Sequence, residues 1–331
     1  MKVVDMHCDT IAAIWYSKQT DMPFSLQKNS LHMDIEKMKK GNYLLQNFAM
    51  FVNLGNEMDP FETVMQLIDV FYQEIEKYPE DIGVVKTYQD IEKNKEMNRI
   101  SALLTIEEGG VCKGNLAYLR NLYRLGARMM TLTWNYENEL AYPNNVPGDS
   151  DTVYPFLPNT EKGLKERGFE FLEEMERLGI IVDVSHLSDA GFYDVVAHTR
   201  KPFVASHSNA RALCGHCRNL EDDMIKKLAD RGGVIGLNYC AGFLMDKKRK
   251  EDVCKSTVDL LAKHARYLAN VGGIGCIGLG SDFDGISGEL ELSDCSKMEL
   301  LEAELKKQGF HESEIEAIFY KNVLRVYKEL L

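Results

Sequence analysis

Eight short apolar, β-prone runs recur along the chain, at 2–6, 44–52, 101–106, 128–133, 180–184, 203–206, 234–238 and 276–280. The longer segments between them contain stretches of helical periodicity. Between 60 and 78, Phe61, Val64, Leu67, Ile68 and Phe71 share one face, and 161–178 stops before Gly179. Strands alternating with helices are the pattern of a parallel sheet covered by helices. Eight of them predict an α/β fold closed into a (β/α)8 barrel of the TIM type, as one domain over 1–331. A chain of 331 residues would also accommodate two ordinary domains, so the alternation, not the length, selects the barrel. The last stretch, 312–331, is amphipathic with mixed charges, which predicts packing on the barrel exterior in preference to membrane contact.

One connection departs from this pattern. Residues 134–160 carry Pro143, Pro147, Pro155 and Pro158, half of the chain's eight prolines, together with several Asn and Asp residues. A long connection of this kind in a compact domain is a surface excursion or a functional lid, and it is expected here as an active-site loop. The formal charge of −12 opposes a polyanionic partner, and nucleic acid is not expected. The first residues contain no apolar leader, and 233–244 is too short and too interrupted to span a bilayer, so a soluble, cytoplasmic protein without a membrane contact is expected. Eight dispersed cysteines fit reduced thiols in a cytosol. The pair Cys214 and Cys217 in "CGHC" lacks both the redox domain and the further ligands that a thiol or zinc-ribbon role would need.

The chemistry-bearing residues follow the runs. His7 and Asp9 stand after the first, Glu108 in "TIEEGG" after the third, His186 in "VDVSH" after the fifth, His207 in "VASHS" after the sixth and Asp282 in "GLGSDFDG" after the eighth. Taken singly, a His there is more often a satisfied core group, and a carboxylate usually caps the next helix. In a β/α barrel, however, the C-terminal strand ends form one face, so residues far apart in sequence meet around one pocket. Mixed His and carboxylate donors are the ligand chemistry of zinc and similar divalent ions, and two ions need about this many donors with one carboxylate shared. A metal-activated water is then the expected nucleophile.

The segments "DMHCDT", "EEGG", "TLTW", "DVSH", "SHSNAR", "CRN" and "GSDFDG" occur in the order seen in the membrane (renal) dipeptidase family, the M19 metallopeptidases, and the resemblance covers nearly the whole chain. It implies a barrel with two zinc ions, one held by His7 and Asp9, the other by His186 and His207, with Glu108 bridging both and Glu107 pointing away. By the same resemblance, Asp282 is the acid/base that passes a proton to the leaving amine, and Arg218 clamps the free carboxylate of a dipeptide substrate. Asp5 is expected to orient a ligand from behind or to cap a neighbouring group. Trp134 stands where the mammalian members carry a His proposed to bind substrate, although some bacterial relatives also resemble "TLTWN". A homodimer is expected from the resemblance alone. Two other readings stay open: a barrel hydrolase acting on another small amide or ester, and a metal-binding protein whose activity has lapsed.

Overall fold

The computed structural model describes residues 1–18, 20–56, 58–148, 154–246 and 252–331. Among them are eleven strands: β1 (Val3–Asp5), β2 (Tyr43–Phe51), β3 (Ile82–Val85), β4 (Ile100–Glu107), β5 (Met129–Thr131), β6 (Val146–Pro147), β7 (Phe156–Leu157), β8 (Ile181–Asp183), β9 (Val204–Ala205), β10 (Val234–Leu237) and β11 (Ile277–Leu279). Eight of them, in the order β1-β2-β4-β5-β8-β9-β10-β11, pair in parallel and return to β1, and the β2–β4 pairing from Leu45↔Ser101 to Phe51↔Glu107 closes the ring. Helices lie between the strands, as the alternation predicts, and the fold is a (β/α)8 barrel. Each expected run coincides with one barrel strand.

β3 was not expected. It pairs with the first half of β4, from Ile82↔Ile100 to Val85↔Leu103, on the edge that β5 takes over from Thr105↔Met129 onward. Because β5 is short, the early part of that edge would otherwise leave backbone groups unpaired, and four residues suffice to cover it. The expected loop 134–160 contains the β6–β7 hairpin, Val146↔Leu157 and Pro147↔Phe156; residues 149–153 lie outside the described residues.

The C-terminal stretch also differs from expectation. It forms Glu312–Glu316, a wider turn over Ala317–Lys321, and Asn322–Leu330. Its Val323, Val326 and Tyr327 are fully buried in one cluster with Val4, Leu45, Leu103, Met129, Ile181, Val204 and Val234, which come from seven different barrel strands. Side chains from seven strands meet only inside the barrel, and four of them are the first residues of their strands. The last helix therefore plugs the N-terminal opening instead of lying on the outer wall, with Tyr327 Oη and the Asn47 side chain hydrogen-bonded at 2.7 Å. That plug leaves the C-terminal opening as the open end.

Close approach of β9, β10 and β11 depends on two glycines. A Cβ on Gly236 would sit 2.0 Å from the Ser206 carbonyl oxygen, and one on Gly280 would sit 1.8 Å from the same atom. Backbone cannot yield as a flexible side chain can, so Gly280→Ala should cost about 1–3 kcal/mol and lower the thermal unfolding midpoint by several degrees. An unchanged midpoint in a calorimetric scan would contradict this packing.

Candidate metal centre

The open end of the barrel gathers side chains from five strand ends. His7 and Asp9 follow β1, Glu107 ends β4, His186 follows β8, His207 follows β9 and Asp282 follows β11. His7 Nε2 lies 3.3 Å from Glu107 Oε2, 3.5 Å from Asp9 Oδ2 and 3.8 Å from Asp282 Oδ1. The other oxygen of Glu107, Oε1, lies 3.2 Å from His186 Nε2 and 3.6 Å from His207 Nε2. All six side chains are buried. Glu107 is thus the centre of the cluster, each of its oxygens facing a different set of nitrogens.

This reverses the expected placement of the paired glutamates. Glu108, expected on the metals, is turned away, and Glu107, expected to point away, faces the cluster. The cause is strand parity. β4 runs one residue past the expected 101–106, and Glu107 has the parity of Leu103, which lies in the interior cluster. Glu108 stands beyond the strand with φ of 100°, and its carboxylate accepts hydrogen bonds from Gly110 N (2.7 Å), Trp134 N (2.9 Å) and Asn138 Nδ2. His186 (φ 67°) and Asp282 (φ 63°) are left-handed too. Non-glycine residues in this region carry strain of about 1–3 kcal/mol each, held in place by the surrounding structure.

Hydrogen bonds behind the cluster orient the imidazoles. Backbone N–H groups of Ser185 and Ser206 and the Thr131 hydroxyl donate to Asp183, and so does the Ser206 hydroxyl. With its proton given to Asp183, Ser206 Oγ accepts from His207 Nδ1 at 2.7 Å. His186 Nδ1 meets Asn135 Oδ1 at 3.0 Å. Both rings therefore carry their proton on Nδ1 and turn Nε2 lone pairs inward, and these two atoms are 3.0 Å apart. Asn238 Nδ2 donates to Asp282 Oδ2 at 2.9 Å, leaving Oδ1 toward His7. Asp5 sits behind, as expected, accepting from the backbone of His7 and Ser281. Sequence reasoning missed Asp183, Asn135 and Asn238; the Asp that ends the run before "VSH" was the visible signal for the first, whereas the others depend on tertiary placement.

The electrostatics are those of crowded carboxylates: although burial opposes its charge, Glu107 and Asp9 hold His7 well above the usual imidazole range, so a proton on His7 and a cation compete for the same carboxylates. Burial, and then Glu107, push Asp9 up to about 6, and burial pushes Asp282 up to about 7. Burial also opposes the charge on Glu107, but His7 and His186 outweigh it and hold that carboxyl low. Burial, with Arg218 nearby, lowers His186 to about 4, and burial lowers His207 as well, so both stay neutral as ligands must. His7 Nε2 and Asp9 Oδ1 are buried without a hydrogen-bond partner. Buried polar atoms without a hydrogen bond, crowded carboxylates and two facing lone pairs are costly without a positive charge between them, and divalent cations fit this set. Three groups of ligand atoms lie within 4.8 Å of one another: His7, Asp9 and Glu107; Glu107, His186 and His207; and His7, His207 and Asp282.

A model of the membrane dipeptidase family, peptidase family M19, matches residues 1–330. The chain belongs to this family. It is 33% identical to an uncharacterised dipeptidase of Schizosaccharomyces pombe over 311 residues, 90% of this chain and 72% of that one. It is 30% identical to the dipeptidase verJ of Clonostachys rogersoniana, over 94% of this chain and 79% of that one. A metallopeptidase of Rhodobacter sphaeroides, solved with a phosphinate mimic of the dipeptide L-Ala-D-Ala, superposes with a TM-score of 0.86 at 21% identity, covering 100% of this chain and 99% of that one. As an M19 member the protein is a metal-dependent dipeptidase. Despite the family's name, no helix among the described residues is long and apolar enough to cross a membrane.

In this dipeptidase the cluster opens into a cavity of about 540 Å³ lined in part by Asp9, Glu107, Trp134, His186 and Asp282. Trp134 stands edge-on to Phe51, ring centroids 4.8 Å apart, and 6.1 Å from His186. Arg218 is buried beside the centre, with Nη2 donating to the His207 carbonyl at 3.2 Å and Nε without a partner. Cys214 and Cys217 bond apart, to the Gly242 and Asn144 carbonyls, and burial raises the Cys214 thiol to about 11, which suits inert structural thiols. The reversed glutamates yield a direct test. In zinc-loaded protein measured by plasma emission, Glu107→Gln should lose at least half of the bound metal, while Glu108→Gln should keep it and lose thermal stability instead. The opposite pattern would restore the expected assignment.

Proposed function

We propose that this M19 member is a binuclear zinc dipeptidase in which His7, Asp9 and Glu107 would hold one ion and Glu107, His186 and His207 the other. The observation that carries the reading is the Glu107 carboxylate, with Oε2 at 3.3 Å from His7 and Oε1 at 3.2 Å from His186. A divalent pair here would supply a water acidic enough to attack at neutral pH and would polarise the scissile carbonyl.

The protein's own groups supply the rest. Asp282, raised to about 7 by burial, is poised to take a proton near neutrality and return it to the leaving amine. Asn238 holds its Oδ2 so that Oδ1 faces the reacting centre. Arg218 is a buried cation that takes part in no ion pair among the described residues, and a charge in that position needs an anionic partner. The free carboxylate of a dipeptide fits, and a longer peptide would carry no charge at that distance from the cleaved bond. Trp134 walls the cavity where mammalian members place a His. All eight cysteines are free thiols, which supports a reducing, cytoplasmic location.

Turnover of L,L and L,D dipeptides by zinc-loaded protein tests the reading. Chelation should abolish amino-acid release, and zinc should restore it. Arg218→Ala should lower kcat/KM for free dipeptides by about 10²-fold or more, chiefly through KM, and affect C-terminally amidated dipeptides little. No release from any dipeptide by fully metallated protein would overturn the proposal and direct the search to other small amides.

A further inference from the structure

The cavity is divided by chemistry. On one side, behind the lining residue Phe243, Arg218 lies against the His207 carbonyl with its guanidinium 5.5 Å from that ring, and on the dipeptidase reading this marks the carboxylate end of a bound dipeptide. On the other, the helix Thr10–Ser17 begins directly after Asp9 and lines the cavity with Ala12, Ala13 and Tyr16. Phe51 and Trp134 stand on that same cavity, edge-to-face at 4.8 Å, with Tyr136 tilted behind the indole at 5.9 Å. Tyr16 is 46% exposed and Phe51 and Trp134 are half-buried, so their rings present apolar surface that a ligand would cover. Ala12 and Ala13 add only methyl groups to that wall.

The charges around the cavity are equally one-sided. Among the described residues its lining holds Asp9, Glu107, Asp282 and Asp284 and no Lys or Arg. Asp284 is already saturated by the Thr10 hydroxyl and the His32 backbone N–H, both at 2.7 Å. Two divalent cations would balance the four carboxylates, and Arg218 would be consumed by the substrate's terminal carboxylate. A second carboxylate on the substrate would be desolvated without a partner.

Resting on the dipeptidase reading above, we infer that the enzyme selects substrates through the N-terminal residue: a large apolar or aromatic side chain packs against Tyr16, Phe51 and Trp134, and an acidic one is rejected. Arg218 lies on the His207 side of Glu107 and the Thr10–Ser17 helix follows Asp9 on the His7 side, so a dipeptide whose carboxylate sits at Arg218 would turn the side chain of the residue whose carbonyl is attacked toward Ala12 and Ala13.

The test compares kcat/KM of the zinc enzyme for Phe-Ala, Leu-Ala, Ala-Ala and Glu-Ala with the reversed series Ala-Phe, Ala-Leu and Ala-Glu. Phe-Ala and Leu-Ala should exceed Glu-Ala by at least about tenfold, with a smaller spread in the reversed series. Phe51→Ala and Trp134→Ala should each shrink the Phe-Ala to Ala-Ala ratio several-fold, and Ala13→Arg should raise Glu-Ala relative to Ala-Ala. Binding gives a second readout. The chain has two tryptophans, so in a Trp15→Phe background under excitation selective for indole Trp134 alone emits, and a phosphinate analogue of Phe-Ala should shift its emission at concentrations at least about tenfold lower than the Glu-Ala analogue. Glu-Ala turned over within threefold of Phe-Ala, or a preference confined to the reversed series, would overturn the inference while leaving the dipeptidase reading intact. Absence of turnover with every dipeptide would sink both.

Discussion

The Glu107 carboxylate is the interaction on which the site depends. Its two oxygens face His7 on one side and His186 with His207 on the other, at 3.2–3.6 Å, so one rigid group ties together strand ends that are far apart in sequence. That is available only in a closed barrel. β4 faces the β1 and β8 ends because β2 pairs with it along seven residues and shuts the ring. Closure also dictates the plug: with the last helix filling the N-terminal opening, the only end free for chemistry is the one where the carboxylates and imidazoles gather.

Placing three carboxylates and three imidazoles in a buried cluster is unfavourable, and the structure holds it from behind. The Asp183 carboxylate takes four hydrogen bonds and passes its influence through Ser206 to His207, fixing which ring nitrogen is free. Left-handed backbone at Glu108, His186 and Asp282 adds strain at three strand ends. These features fit a site that a cation completes, since His7 Nε2 and Asp9 Oδ1 are buried without a hydrogen bond and His7 Nε2 faces the Glu107 and Asp9 carboxylates.

Much of the fold was legible because a barrel strand is buried on both faces and reads as a continuous apolar run. The same property hid the glutamates. In "SALLTIEEGG" no polar alternation marks which residues face inward, so the sequence could not separate Glu107 from Glu108; parity became visible only once Leu103 was seen in the interior. β3 escaped notice because it serves one half-edge of β4 and is too short and too mixed to stand out. The last helix was readable as amphipathic, but periodicity tells that a face is buried and not against what, and the choice between outer wall and barrel opening lies in tertiary contacts.

The two adjacent glutamates divide one task between them. Glu107 faces the centre, and Glu108, one residue on and turned by its positive φ, binds the Trp134 backbone and the Asn138 side chain. The strand end that carries the central carboxylate thereby also anchors the start of the 134–160 connection, from which Asn135 reaches back to His186 and Trp134 forms part of the cavity wall. The Trp134 indole is therefore not an isolated side chain on a loose loop. It is held by the same dipeptide step that positions the proposed metal bridge, so a change in the wall would be felt at the centre, and loss of the Glu108 hydrogen bonds should disturb substrate fit before it disturbs metal binding.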